Sequence, residues 1–211
     1  MKKILKIGWA ICALLVVFNC KEEKKEKKED IKVVAAEKFN LVKDSTKVSF
    51  TAYKTSDKLP VGGIFKKINI IKSTSGATAL EALNGTIFSI PVSSLFTNDA
   101  TKTRDPKILE FFFGVMENTT LISGVFKVSD DKKCSIDVTL NGKTENISLE
   151  FKQTSDLSYT FNGIMNLEDW DALNAVSSIN KACEALHTGP DGVSKTWSEV
   201  TVQAEILLQK D

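Results

Sequence analysis

The amino-acid sequence predicts an all-β domain, an eight-stranded antiparallel up-and-down barrel with two helical excursions. Apolar and polar residues alternate through most of the chain beyond residue 45, which is the pattern of strands with one wet face. Eight stretches show this alternation, and most of them are joined by short connections that make sequence neighbours spatial neighbours. Eight such strands can close into a barrel, although a sandwich of two sheets also fits the pattern.

The first 19 residues have the pattern of a signal peptide. Lys2, Lys3 and Lys6 precede an uncharged apolar stretch at 7–18, which is well short of the roughly 20 residues that span a bilayer. Cys20 follows directly and resembles the lipid-accepting cysteine of bacterial lipoproteins, in the loose form typical of Bacteroidota. The resemblance implies that Cys20 is lipidated and begins the mature protein. Ordinary cleavage nearby, which would leave a free cysteine, is the alternative.

Residues 20–37 are predicted to form a charged, flexible tether. Residues 21–30 contain five positive and five negative side chains and no apolar residue that could offset the entropy cost of ordering. Lys21, Glu22 and Glu23 also resemble the export signal of surface lipoproteins. We therefore expect a lipid-anchored protein of the bacterial cell envelope, at the outer membrane and on its periplasmic or surface face.

The composition beyond the signal peptide favours one nearly neutral domain at 38–211. Residues 1–19 hold three lysines and no acids, so their removal changes the formal charge from +1 to −2. A nearly neutral chain argues against a nucleic-acid partner. Cys134 and Cys183 could form a disulfide in an oxidising compartment. The alternative is that Cys134, which alternates with apolar neighbours, is simply buried.

Each strand is predicted from its alternation. In the last one, Val200, Val202 and Ala204 alternate with polar residues. Asn141-Gly142 separates two alternating stretches, and this dipeptide is the strongest short-range signal of a β-hairpin. The predicted strands are 47–54, 61–71, 83–91, 119–128, 132–140, 143–152, 157–167 and 198–208.

Two segments have helical spacing instead. In 101–116, Asp105 is a candidate N-cap with Pro106 at the first helical position, and the segment is too apolar for a surface helix. In 169–186, apolar residues recur at helical spacing, and His187-Thr188-Gly189-Pro190 forms the stop signal.

Three stretches together resemble the YceI-like family of lipid- and polyisoprenoid-binding proteins. They are KVSFTAYKTSDKLPVGGIF at 47–65, TRDPKILEFFFGVMEN at 103–118 and SKTWSEVTVQAEILL at 194–208. The resemblance covers 38–211 and implies a lipocalin-like barrel with a long apolar tunnel for an isoprenoid or fatty chain. Many members carry a histidine near the end of the first strand, where this chain has Tyr53 and Lys54. A head-group contact at that position is therefore not carried over.

The residues themselves also favour a hollow barrel. An eight-stranded barrel either fills with side chains or holds one small ligand, and Gly63, Gly124 and Gly163 are expected to leave space inside. The helical phenylalanines should face this lumen or its mouth, unless they plug it as ordinary core. The predicted lining residues are Phe50, Ala52, Phe65, Phe111, Phe112, Phe113, Met116, Phe126, Phe161, Met165 and Ala204.

The sequence predicts no catalytic residue, metal site or cofactor. His187 and Cys183 have i, i+4 spacing, but a structural zinc needs four ligands, and His187 fits better as a cation at a helix C-terminus. We expect non-enzymatic binding, storage or transport of a hydrophobic small molecule, with a polyisoprenoid, quinone or fatty acyl chain as ligand. A structural or stress-response envelope lipoprotein with a filled barrel is one alternative, and an enzyme using His187 on a bound lipid is another.

Replacing Cys20 with serine is expected to move the protein from the membrane fraction to the soluble envelope fraction. The near-neutral tether has little attraction for lipid, so acyl chains on Cys20 would be what holds the protein at the bilayer. Fractionation of cells followed by immunoblotting measures the distribution. Continued membrane association of the variant would contradict the anchor.

Overall fold

Antiparallel strands make up nearly half of residues 37–211, which are the residues that the computed structural model describes. The signal peptide, Cys20 and the tether up to residue 36 lie outside the described residues. The strands are β1 (Phe39–Leu41), β2 (Lys47–Lys54), β3 (Leu59–Phe65), β4 (Asn69–Lys72), β5 (Ile87–Pro91), β6 (Leu95–Phe96), β7 (Leu121–Val128), β8 (Cys134–Leu140), β9 (Lys143–Ser155), β10 (Ser158–Asn166) and β11 (Thr196–Lys210). The helices are α1 (Ala79–Leu83), α2 (Arg104–Phe111), α3 (Leu173–Ala182) and α4 (Glu184–His187).

All eleven strands belong to one sheet, so the structure is not a sandwich of two sheets. The strand order is β4-β5-β7-β8-β9-β10-β11-β2-β3-β6, with β1 also paired to β11. Every pairing is antiparallel, and most neighbours in the sheet are also consecutive in the chain. The most important exception is β11, the last strand of the chain, which pairs with β2 near the beginning of the domain.

Two interruptions in the strands explain how the sheet curls. β1 and β2 both pair with β11, one on each side of a 3-10 turn at Lys43–Ser45. β3 pairs with β2 and β6, whereas β4 pairs with β5. Phe65 and Asn69, at the break between β3 and β4, are four Cα steps apart and so at most about 14 Å from each other. The two ends of the strand order therefore lie close together, and the sheet has a curled, barrel-like shape.

The predicted count of eight strands is not confirmed, because the structure has eleven in the described residues. The predicted strand 61–71 is split between β3 and β4, and β1 and β6 were not predicted. The predicted strand 83–91 is wrong at its start, since Leu83 ends α1 and Gly85 has a positive φ of 76°. The hairpin at Asn141-Gly142 is confirmed: both residues have positive φ, and Leu140 faces Lys143.

Both predicted helical segments contain helix, but their starts differ from the prediction. Asp105 does not cap α2; its Oδ1 accepts hydrogen bonds from the Thr97 backbone N–H at 3.0 Å and from the Thr97 hydroxyl at 2.5 Å. Asp99 Oδ2 instead accepts from the backbone N–H groups of Thr103 and Arg104 at 3.1 and 3.3 Å. The segment 169–186 contains α3 and most of α4, which ends at His187, after a turn around Trp170. Within residues 37–211, no helix has the length and apolar character needed to cross a bilayer.

The buried core has two clusters, one at each end of the curled sheet. One cluster surrounds Trp170 and includes Leu140, at the end of β8, and Leu167. The other includes Leu41, Leu83 and Leu208, with Cys134 at the beginning of β8. Trp170 is completely buried, and its indole N–H donates to the Val138 carbonyl at 2.9 Å. This bond fixes the turn before α3 against the sheet.

Glycines on the inner face do not leave open space as predicted. A Cβ atom at Gly63 would lie 2.5 Å from the ring of Phe50, its cross-strand partner. A Cβ at Gly124 would lie 2.7 Å from the ring of Phe88, also its cross-strand partner, and would overlap the Asp137 carbonyl oxygen. The space beside these glycines is therefore occupied by the rings of Phe50 and Phe88.

Replacing Trp170 with phenylalanine is expected to lower the free energy of unfolding by about 1–3 kcal/mol. The change removes the hydrogen bond to Val138 and leaves part of a fully buried site empty. Urea denaturation measures the loss. Leu173→Ala, at a side chain that is 46% exposed in the neighbouring helix, should change stability by less than about 0.5 kcal/mol. Equal effects of the two substitutions would contradict this role of Trp170.

Gly124→Ala and Gly62→Ala form a matched pair that tests the packing against the wall. Alanine at 124 should destabilise the protein by about 1–3 kcal/mol, since Phe88 and the Asp137 carbonyl must move. At Gly62 the nearest atom to a new Cβ lies 3.8 Å away, so alanine should be neutral or stabilise by about 0.4–1 kcal/mol through the unfolded state. Thermal and urea unfolding measure the stability of both variants. A Gly62→Ala variant that is less stable than Gly124→Ala would contradict this packing.

Candidate functional site

The curled sheet encloses a cavity of about 700 Å³. This volume lies within the range of about 300–1,000 Å³ typical of small-molecule sites. Residues from every strand except β6 line the cavity, together with residues from all four helices. The lining is mostly aliphatic and aromatic, because alternate residues of each strand point inward.

Nine of the eleven predicted lining residues lie on the cavity wall. Phe111 and Met116 do not line it. Ile108 of α2 and Phe112, which directly follows the helix, line the cavity, whereas Phe111 at the end of α2 does not. Contact of these residues with a ligand stays a prediction. The nine on the wall are Phe50, Ala52, Phe65, Phe112, Phe113, Phe126, Phe161, Met165 and Ala204.

Much of the wall consists of aliphatic residues that were not among the predicted lining residues. The signal that could have found them is the same alternation that identified the strands, since the even-numbered residues of β8 and of β11 face inward. The additional apolar lining residues on the strands include Val48, Val61, Ile70, Phe88, Ile90, Ile122, Ile136, Val138, Leu140, Ile147, Leu149, Val200, Val202 and Ile206.

The two ends of the cavity differ in polarity. Leu41, Leu83 and Ile206 line the far end, and all three are buried in the core cluster that contains β1 and α1. The other end carries the charged lining residues and the exposed Leu186. The cavity therefore has a closed apolar end and a polar mouth.

Lys54, Thr196 and His187 meet at the mouth. Lys54 ends β2 on the same side as Phe50 and Ala52, opposite Thr196 of β11. Its ammonium group donates to the Leu186 carbonyl at 2.9 Å. His187 Nδ1 lies 2.7 Å from the Thr196 hydroxyl, which donates to Asn180 Oδ1 at 2.9 Å. Because that hydroxyl hydrogen is already used, Nδ1 carries the imidazole hydrogen and donates it to Thr196.

One face of α2 completes the mouth. Arg104, Lys107, Ile108 and Phe112 recur at helical spacing and all line the cavity. The basic end of this face lies at the mouth, and the apolar end continues the wall. Asp99, just before α2, is the one acid among the lining residues. A hydrogen bond from Thr101, further bonds from Thr103 and Arg104, and the Arg104 charge hold the pKa of Asp99 below its usual value, against the effect of burial.

Burial lowers the pKa of His187, and the positive charges of Lys54 and Lys107 lower it further. The imidazole is therefore neutral near pH 7. Within residues 37–211, no group of three His, Cys, Asp or Glu side chains is arranged to hold a metal ion, although Cys183 and His187 both line the cavity.

Cys134 and Cys183 are both buried free thiols, so the disulfide considered from the sequence is not present. Cys134 begins β8, whereas the other end of β8 packs near Trp170, in the turn that precedes α3. The seven residues of β8 span about 20 Å, which separates Cys134 from the turn at Trp170. Cys183 belongs to the region beyond that turn, because it follows directly after α3. Burial raises the pKa of the Cys134 thiol.

Comparison with solved structures shows the same fold. A polyisoprenoid-binding domain from Saccharophagus degradans, implicated in plant cell wall breakdown, matches with a TM-score of 0.57 at 11% identity, covering 82% of this chain and 98% of that one. BcnA from Burkholderia cenocepacia matches with a TM-score of 0.51 at 16% identity, covering 81% of this chain and 99% of that one. No curated protein matches the chain.

A sequence profile of the YceI-like domain matches residues 39–208, which include all the strands except the last two residues of β11. The match begins at the first residue of β1 and ends within β11. This chain therefore belongs to the YceI-like family.

Proposed function

We propose that this protein binds a hydrophobic chain, such as a polyisoprenoid, a quinone or a fatty acyl chain, and stores or carries it without chemical change. The observation that carries the proposal is the cavity of about 700 Å³, whose wall between the closed end and the mouth is mostly aliphatic and aromatic, with few polar residues such as Thr46, Thr86 and Gln203. An apolar surface of this extent is stabilised when a hydrophobic molecule replaces water.

The comparisons support the same class of ligand. The YceI-like profile covers the strands that build the wall, and the S. degradans domain with this fold is described as polyisoprenoid-binding. At 11% identity this similarity concerns the fold, so the support comes from the cavity and the family together.

The energetics of such a cavity favour loose selectivity. Each buried methylene contributes about 0.8 kcal/mol, so a dozen contribute roughly 10 kcal/mol before the costs of association and chain ordering. This is enough for micromolar binding without any hydrogen bond inside the cavity. Chain length and bulk would then decide affinity more than chemical identity.

The contacts of His187 support binding without catalysis. Its Nδ1 donates to Thr196, and Thr196 in turn donates to the Asn180 side-chain oxygen. A catalytic triad would instead place a carboxylate on this nitrogen and a nucleophile on the other. The chain of bonds seen here positions the imidazole at the mouth without making it a strong base.

We also propose that the protein acts in the bacterial cell envelope, attached to a membrane through lipid on Cys20. The support is the sequence pattern of residues 1–30. A tether beyond the anchor would keep the cavity near the membranes that supply hydrophobic ligands. The outer membrane, on its periplasmic or surface face, is the proposed site.

Ala204→Phe is expected to weaken binding of a hydrophobic chain by at least about tenfold. Ala204 lines the cavity between Phe161 and Val48 on the neighbouring strands, and a phenyl ring there would occupy the space of several methylenes. Native mass spectrometry and thermal shift with added farnesol measure the loss, since a bound ligand raises the melting temperature with occupancy.

Ile164→Phe provides the control, because Ile164 is 59% exposed on the outer face of β10. It should bind farnesol as the unmodified protein does. A protein that purifies empty and ignores farnesol, quinones and fatty acids would contradict the proposal and favour a structural role for a barrel without ligand.

A further inference from the structure

The mouth of the cavity carries an excess of positive charge. The charged lining residues there are Lys54 from β2, Arg104 and Lys107 from α2, and Asp99 from the preceding loop, with the titratable His187 from α4. Asp99 is already engaged, since its carboxylate accepts hydrogen bonds at the start of α2 and lies 3.8 Å from the Arg104 guanidinium. Two lysines and one imidazole remain for another partner.

Lys54 and Lys107 have no acidic partner in the described part of the chain. Neither forms an ion pair with a carboxylate of residues 37–211, whereas eight other ion pairs occur there. Lys54 donates to the neutral Leu186 carbonyl, which satisfies one of its three N–H groups. Both lysines are only partly exposed, so their charges are less screened than those of fully solvated side chains.

His187 presents its second ring nitrogen, Nε2, to this region. Nδ1 is occupied by Thr196, and Lys54 lies directly opposite Thr196 across the β2–β11 ladder. When His187 is protonated, Nε2 becomes a third cationic donor beside the lysines. The three groups come from β2, α2 and α4, and both lysines lie close enough to His187 for their charges to lower its pKa.

The position of this basic group relative to the wall defines what it could recognise. Lys107 is followed on the same face of α2 by Ile108 and Phe112, which continue into the cavity. A molecule with its chain inside would therefore place its head beside Lys107, Lys54 and His187. Hydrogen bonds from ammonium groups to an oxyanion are roughly twice as strong as those between neutral groups.

We propose that the mouth binds the oxyanion head of an amphiphile whose chain fills the cavity, with Lys54, Lys107 and His187 as the head-group residues. This inference rests on the proposed hydrophobic-chain function and adds the chemistry of the head. The shared chemistry is a terminal oxyanion, which a fatty acid supplies as a carboxylate and an isoprenoid ester supplies as a phosphate.

The test compares ligands that share a chain and differ in the head. Dodecanoate is compared with dodecanol, and farnesyl phosphate with farnesol, by competition with a fluorescent apolar probe at pH 7.5. We expect at least one charged head to bind roughly tenfold more tightly than its alcohol. The pair with the larger ratio identifies the carboxylate or the phosphate as the natural type of head.

Lys54→Gln and Lys107→Gln should each reduce the ratio between charged and neutral ligand several-fold, because the lost ammonium charge acts mainly on the oxyanion. Lys152→Gln is the matched control. It removes the same charge, but Lys152 is exposed on β9 and does not line the cavity. Raising the salt concentration should lower the ratio for the unmodified protein, which keeps the test valid if a variant folds poorly.

His187 offers an independent readout because it is the only histidine of the chain. Its imidazole protons therefore give one assignable set of signals in a proton NMR titration. In the free protein the pKa should lie below 6.5, and an oxyanion at the mouth should raise it by favouring the imidazolium form. Dodecanol or farnesol should leave it unchanged.

The outcomes separate the two proposals. Equal binding of charged and neutral ligands, with no effect of the lysine substitutions and no shift of the His187 pKa, would overturn the head-group site while leaving the hydrophobic-chain function intact. Failure of all four ligands to bind would overturn the proposed function, and the head-group site with it.

Discussion

The rest of the structure depends on the hydrogen bonding of two consecutive strands, β3 and β4, which pair at opposite ends of the strand order. β3 is held by β2, β4 is held by β5, and only residues 66–68 separate the two. Because the chain cannot span more than about 14 Å over that break, the sheet has to curl. Curling gives every strand an inner face, and the alternation of the sequence then fills that face with apolar side chains. The cavity is thus a consequence of backbone pairing together with a period of two.

Local periodicity made much of this fold predictable. The bounds of β2 agree with the predicted strand, and the β8–β9 hairpin follows from Asn141-Gly142. The break at 66–68 and the short strand β6 were not predictable in this way, because they exist to pair segments that meet only once the sheet has curled. Helix α1 was missed because five residues are too few to show helical periodicity against a background of alternation.

The candidate site was predictable to different degrees in its two parts. The wall follows from the alternation of inward and outward residues along each strand, so Phe50, Ala52 and Ala204 could be assigned from the sequence. The glycines were interpreted wrongly, because the alternation does not show which neighbouring side chain fills the space beside a glycine. The mouth could not be found, since it combines Lys54, Lys107 and His187 from three separate elements. Only Lys54 could have been recognised from the sequence, because it is a charged residue at a position of β2 where the alternation predicts an inward side chain.

The pairing of β11 with β1, β2 and β10 has a consequence for the order of events during biosynthesis. β2 leaves the ribosome 142 residues before the start of β11, its partner in the sheet, because Lys54 pairs with Thr196. Until β11 is synthesised, both β2 and β10 have one unpaired side, and contacts at such sequence separation form slowly. The polypeptide therefore has to remain incompletely folded until translation is nearly complete, because the strand that joins the two parts of the sheet is the last to be made.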